Sequence, residues 1–126
     1  MKQSQRLTLA AVFTIAGLVL GGCVSPSGST SNSSNTDKYK QTWSKTYAST
    51  TCQEWKSAMS DKQQWVAAAD MLTAARNKKD GGNGLPPDAL VTTFQGGITT
   101  SCVVPSAKVA EIGAALYLTE RAQFRP

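Results

Sequence analysis

Histidine is absent from all 126 residues. That removes His-based catalytic triads, His zinc sites and the usual switch near neutral pH. Acidic residues number only 8, a poor supply for a dedicated metal cage. No Cys-x-x-Cys pair occurs, so a dithiol redox motif is missing as well. The longest apolar run, Leu7 to Leu20, spans fourteen residues, too few for a comfortable membrane span. What remains fits one small domain at most.

The apolar run has its own logic. Lys2 and Arg6 precede it as a short basic region, and Leu20-Gly21-Gly22-Cys23 follows it. This layout reads as a signal peptide over 1–22. The four residues at its end resemble a bacterial lipobox: small residues let the peptidase grip the backbone, and the Cys23 thiol accepts a diacylglyceryl group. The other reading is a plain secretory signal whose cysteine pairs with another. The lipobox reading places the chain outside the cell membrane, or on the periplasmic side of an envelope membrane, held by its N-terminal lipid.

Three cysteines are an odd number for an exported chain. A lipidated Cys23 leaves one pair, Cys52 and Cys102, in a compartment that permits disulfides. A bridge there closes a loop of 49 intervening residues. Restricting the unfolded chain in that way is worth about 4 kcal/mol in the entropy model, a large share of what so small a domain can have.

Val24 to Thr36 is rich in Ser and Asn and uncharged. It cannot bury enough apolar surface to order itself, so residues 23–36 read as a lipidated tether with a reach on the order of 20 Å. In 37–48, Tyr39, Trp43 and Tyr47 recur at spacing four among Lys38, Lys40 and Lys45. On a helix they form one stripe, which either lies at lipid headgroup level or packs on the core.

Residues 49–126 read as a helical domain. Thr51-Cys52-Gln53-Glu54 and Ser60-Asp61-Lys62-Gln63 are capping boxes. The first opens a short helix with Cys52, Trp55 and Met59 on one face. The second opens a longer one to about Lys79, with Trp65, Ala68, Ala69, Leu72 and Ala75 as its apolar stripe. Gly81-Gly82-Asn83-Gly84 stops it; a phosphate-loop reading lacks the Lys-Ser/Thr and the strand it needs. Pro86-Pro87-Asp88 starts a third helix, with Val91, Phe94, Ile98 and Cys102 inward and an expected kink or split at Gly96-Gly97. Pro105-Ser106 opens the last, carrying Val109, Ile112, Leu116 and Tyr117. The expectation is an all-α bundle of about four helices, stapled by one disulfide, on a flexible lipid-anchored tether.

Thr51-Cys52 with Trp55 three residues on, the helix start at Pro86, Asp88 and Ala89, Cys102 about fifty residues later and a final amphipathic helix resemble the HdeA/HdeB family of small periplasmic acid-stress chaperones. The likeness spans roughly 50–124. It implies a disulfide-bridged helical fold and chaperone-like protein binding triggered by acid. The lipid anchor, the Ser/Asn tether and the poor supply of acids to titrate depart from that family's pattern. In size and layout the chain is also similar to small lipoproteins of actinobacteria and their prophages, and some lipoproteins of that general kind, in various bacteria, block entry of a second phage.

Function is therefore sought among non-enzymatic roles. Ser and Thr are plentiful but have no His partner, and Ser57 beside Lys56 is a coincidence of composition. Outside the signal, 11 basic residues face 8 acidic ones, a weak footprint for nucleic acid. No cofactor, metal or small-molecule substrate is expected. The expected partners are the membrane, through Cys23, and an envelope or phage protein. A chaperone-like module would expose Trp55, Trp65, Phe94 and Leu116 on opening. An exclusion factor would use a fixed outer surface such as Tyr39, Trp43 and Tyr47, and a structural spacer lipoprotein is the third possibility.

Overall fold

A computed structural model describes residues 37–126. The export run, the lipobox with Cys23, and the tether up to Thr36 lie outside the described residues. From Cys52 onward the chain forms five helices: α1 (Cys52–Ser57), α2 (Asp61–Asp80), α3 (Asp88–Ser101), α4 (Val109–Thr119) and the single turn α5 (Arg121–Phe124). The protein is a small all-α bundle, and no helix among the described residues is long and apolar enough to cross a membrane.

Both capping boxes form. Glu54 N–H donates to Thr51 Oγ1 at 3.2 Å, and the Glu54 carboxylate accepts from Thr51 N–H at 2.9 Å. Ser60 and Gln63 repeat the exchange at 3.2 and 2.9 Å, opening α2. α2 ends at Gly81, whose left-handed backbone (φ 62°) is the conformation glycine adopts without steric cost. The proline pair lies just outside α3, with Pro87 at the N-cap.

α2, α3 and α4 pack on one another, α1 leans on α3, and α5 folds back along α4. Trp55, Leu72, Val91, Phe94, Ile98, Val109, Tyr117 and Phe124 are fully buried between them. Cys52, the first residue of α1, and Cys102, the C-cap of α3, form a disulfide with 5.2 Å between their Cα atoms. The staple thus joins the start of one helix to the end of another.

Two further links hold α1. Its free N-terminal amides, Cys52 and Gln53, donate to the carbonyls of Ala107 and Pro105 at 2.8 and 3.0 Å, which satisfies donors that a helix start leaves open. Thr51 and Lys108 form an isolated antiparallel bridge, with Val109 N–H donating to the Thr50 carbonyl at 2.9 Å. The α3–α4 loop is therefore bound along 105–109, and α4 begins at Val109 rather than at Pro105-Ser106.

Two other expectations are corrected. α3 runs unbroken through Gly96-Gly97. A Cβ at Gly97 would stand 2.6 Å from Leu116 Cδ2, so the glycine admits α4 instead of splitting α3. The segment 39–50 is irregular, not a helix. Its polar side chains bond the backbone locally: Gln41 accepts from Trp43 N–H, and Thr50 Oγ1 donates to the Thr46 carbonyl. Such contacts compete with helical hydrogen bonds.

Candidate functional site

The aromatic segment packs on the bundle despite being irregular. Tyr39, Trp43 and Tyr47 are each half-buried against the core, continuous with Trp65, so the domain extends back across the boundary at 49. The Tyr39 ring lies 5.4 Å from that of Trp65, and Lys38 Nζ sits over both, 5.5 and 5.2 Å from their centroids. Lys38 also pairs with Asp88 at the start of α3. Tyr47 donates to Asp70 on α2 at 2.6 Å, and burial followed by this bond raises its phenol pKa. Lys45 pairs with Glu54 on α1.

Tryptophan supplies a second regularity. Each indole N–H among Trp43, Trp55 and Trp65 donates to a threonine hydroxyl: Thr50 at 2.8 Å, Thr99 at 2.9 Å and Thr92 at 3.2 Å. A buried indole needs such a partner. Trp55 is wholly buried, so it meets a partner protein only if the bundle opens. Trp65 is half-buried beneath Tyr39. The Trp–Thr pairs, with separations of 7, 44 and 27 residues, had no counterpart in the sequence pattern.

The far end of the domain is closed in the same chemical manner. Asp80, the last residue of α2, accepts from Tyr117 on α4 and from Arg121 on α5, with Arg121 Nε at 2.8 Å. Hydrogen bonding from Arg121, then from Tyr117, holds the Asp80 carboxyl below its usual range. Glu54 is held at about 2, first by Lys45 and then by the Thr51 N–H. Four carboxylates, Glu54 on α1, Asp70 and Asp80 on α2 and Asp88 on α3, thus fasten the two ends of the described chain to the bundle.

Surface depressions lie on two further faces of the described residues. One, of about 360 Å³, lies between α2 and α4 and is floored by Met71, Ala75 and Gly113. Lys78 and Lys79 stand at its rim, with Tyr117 and Leu118 on the α4 side. The other, of about 350 Å³, borders the disulfide and includes Lys56 and Val103. Val103 and Val104 beside it are strongly exposed, at 78% and 53%. No group of three His, Cys, Asp or Glu residues gathers among the described residues. Compared with known protein families, with curated proteins and with solved structures, the chain matches none.

Proposed function

We propose that the chain is a cell-envelope lipoprotein, anchored through Cys23, whose helical domain is a non-enzymatic protein-binding module of the chaperone-like kind. The observation that carries this reading is the way the core is covered. The rings of Tyr39, Trp43 and Tyr47 and the α5 turn lie over an apolar centre, and carboxylate contacts at Asp88, Asp70, Glu54 and Asp80 help fasten them. Protonating Glu54 and Asp80, both held below the usual carboxylate range by these contacts, removes charge-assisted bonds. The Cys52–Cys102 bridge keeps α1 on α3 meanwhile. A domain opened in this way offers Trp65, Phe94 and Leu116 to an unfolded client without losing its tie between helices. The resemblance to HdeA/HdeB in the cysteine spacing and helix starts points the same way.

The test is suppression of client aggregation by the oxidised full chain across a pH series. Protection that rises as the domain opens, followed by tryptophan fluorescence, supports the reading. Equal aggregation with and without the chain at every pH overturns it.

A second reading rests on Val103 and Val104, an exposed apolar pair fixed next to the disulfide. A rigid apolar knob at a membrane surface suits an exclusion lipoprotein that blocks phage DNA uptake by binding one envelope or phage protein. Phage challenge of cells carrying the chain separates the two. Exclusion that is lost in Cys23→Ala, together with no client protection, favours this alternative.

A further inference from the structure

The depression between α2 and α4 has a composition that specifies its occupant. Its floor is made of Ala75, Gly113 and the thioether of Met71, and the walls are continued by the ring of Tyr117 and by Leu118, which is 57% exposed. Gly113 is what gives the slot depth, since a Cβ there would meet Met71 Sδ at 3.3 Å. The only hydroxyl among these side chains, that of Tyr117, is already spent on Asp80. Nothing in the slot therefore matches a polar ligand body. Its volume of about 360 Å³ falls at the lower end of small-ligand sites. Met71 is a flexible side chain that adapts to an irregular apolar guest.

The charged rim is one-sided. Lys78 and Lys79 border the slot, and neither takes part in an ion pair among the described residues. Two features at that end would oppose an anion: the carbonyl end of α2 and the Asp80 carboxylate. Both are partly engaged. The Arg76 carbonyl accepts from the Gly81 and Gly82 amides, the Lys79 carbonyl accepts from Arg121 at 3.2 Å, and Asp80 is held by Arg121 and Tyr117. With Arg121 offsetting Asp80, the end of the slot is left with the positive charge of Lys78 and Lys79.

We propose that the α2–α4 slot binds a single-chain fatty carboxylate, its alkyl chain lying over Met71, Ala75 and Gly113 and its head meeting Lys78 and Lys79. The hydrophobic contribution comes from alkyl surface removed from water. The choice between an acid and an alcohol of the same length comes from the lysines.

The experiment titrates the full chain with carboxyl-labelled dodecanoate below its critical micelle concentration, followed by NMR, beside 1-dodecanol and dodecyltrimethylammonium. Saturable binding at one site is expected, about tenfold tighter for the carboxylate than for the alcohol, with no uptake of the cationic chain. Ala114→Trp, on an exposed position of α4 lining the slot, should fill it and abolish binding. The pair Lys78→Gln and Lys79→Gln should bring the carboxylate down to the level of the alcohol. Circular dichroism checks each fold; should Ala114→Trp not fold, the exposed lysine pair decides alone.

Absence of saturable binding overturns the proposal, as does equal affinity for acid and alcohol in the unaltered chain. Unchanged binding in a folded Ala114→Trp overturns it too, since the ligand then sits elsewhere. A chain that takes up no dodecanoate but self-associates in sedimentation, and is made monomeric by Ala114→Trp, shows that a second copy occupies the face and likewise overturns it.

Discussion

The buried Tyr117 on α4 donates its phenol O–H to the carboxylate of Asp80, the residue that ends α2. Because Arg121 grips the same carboxylate, one side chain ties α2, α4 and α5 together. This junction makes stability depend on pH in both directions. Burial, and then the bond to Asp80, push the Tyr117 phenol up to about 12, while Asp80 is lowered.

The acid limb is set by Asp80 and by Glu54, held at about 2. A carboxyl whose folded pKa is depressed stabilises fully above its unfolded value, and that stability is lost as the pH falls through the folded one. Thermal melts followed by circular dichroism should therefore show Tm falling from about pH 4.5 toward pH 2. Asp80→Asn and Glu54→Gln should each lower Tm at pH 7 and shrink this acid loss. The alkaline limb has the opposite sign: a raised phenol stabilises below about pH 10 and loses that contribution toward pH 12. Tyr117→Phe should remove the Tyr117 share of this limb and leave that of Tyr47, whose phenol is raised as well. Unchanged acid slopes in both carboxyl variants would show that these contacts do not hold the ends of the chain.

The adjacent glycines of α3 make a paired comparison. A Cβ at Gly96 meets nothing within 4 Å, whereas one at Gly97 meets Leu116 at 2.6 and 3.3 Å. Gly96→Ala should stabilise by about 0.5–1 kcal/mol, because alanine loses less backbone freedom in a helix. Gly97→Ala receives the same benefit but must displace Leu116, and overpacking of this kind costs about 1–3 kcal/mol. Urea unfolding should order the two variants on either side of the parent. Equal stabilisation by both would mean that Leu116 moves aside freely.

What the sequence made legible follows the range of each interaction. The two capping boxes, the stop at Gly81 and the buried set Val91, Phe94, Ile98 depend on neighbours within a few residues, and each is found where its spacing puts it. The disulfide was legible by pairing the cysteines left once Cys23 is set aside for lipid, and its closure is found. Gly96-Gly97 misled because propensity sees a helix weakness, while the reason for Gly97 is Leu116, nineteen residues away. The aromatic spacing of 39–47 misled differently. Rings at spacing four fit one helix face, yet they also reach separate partners from an irregular chain, Trp65 for Tyr39, Thr50 for Trp43 and Asp70 for Tyr47. Phe124 belongs to the same category: its edge-to-face contact with Phe94, 5.0 Å between centroids, is set by the fold-back of α5.

Thr50 is a residue that periodicity does not single out, yet it is fully buried at the join of two segments. Its hydroxyl accepts from the Trp43 indole and donates to the Thr46 carbonyl, both at 2.8 Å. Thr50→Val keeps the shape and removes both bonds, leaving the Trp43 indole N–H unpaired, while the Thr46 carbonyl keeps the Ser49 and Thr50 amides as donors. The expected loss is about 1–3 kcal/mol, read as a lower urea midpoint with an unchanged slope. Thr50→Ser should recover most of it. A Thr50→Val chain as stable as the parent would mean that water replaces the hydroxyl at the Trp43 indole.

The staple between Cys52 and Cys102 has a local and a global consequence, and they can be separated. Replacing both cysteines by alanine releases the loop in the unfolded chain and should cost about 4 kcal/mol, a large part of the stability of a domain this size. In the folded state, α1 would then rest on the Thr51–Lys108 bridge, on the amides donated to Pro105 and Ala107, and on Trp55 in the core. α2, α3 and α4 pack on one another without help from the bridge. Native-state hydrogen exchange of the double variant should therefore show the α1 amides opening at lower free energy than those of α2 and α3. If all helices lose protection together, α1 is an integral part of one cooperative unit and the bridge acts only on the unfolded chain. If the urea midpoint does not move at all, the helices hold without the staple, and the disulfide has no stabilising role to play in an opened, client-binding state.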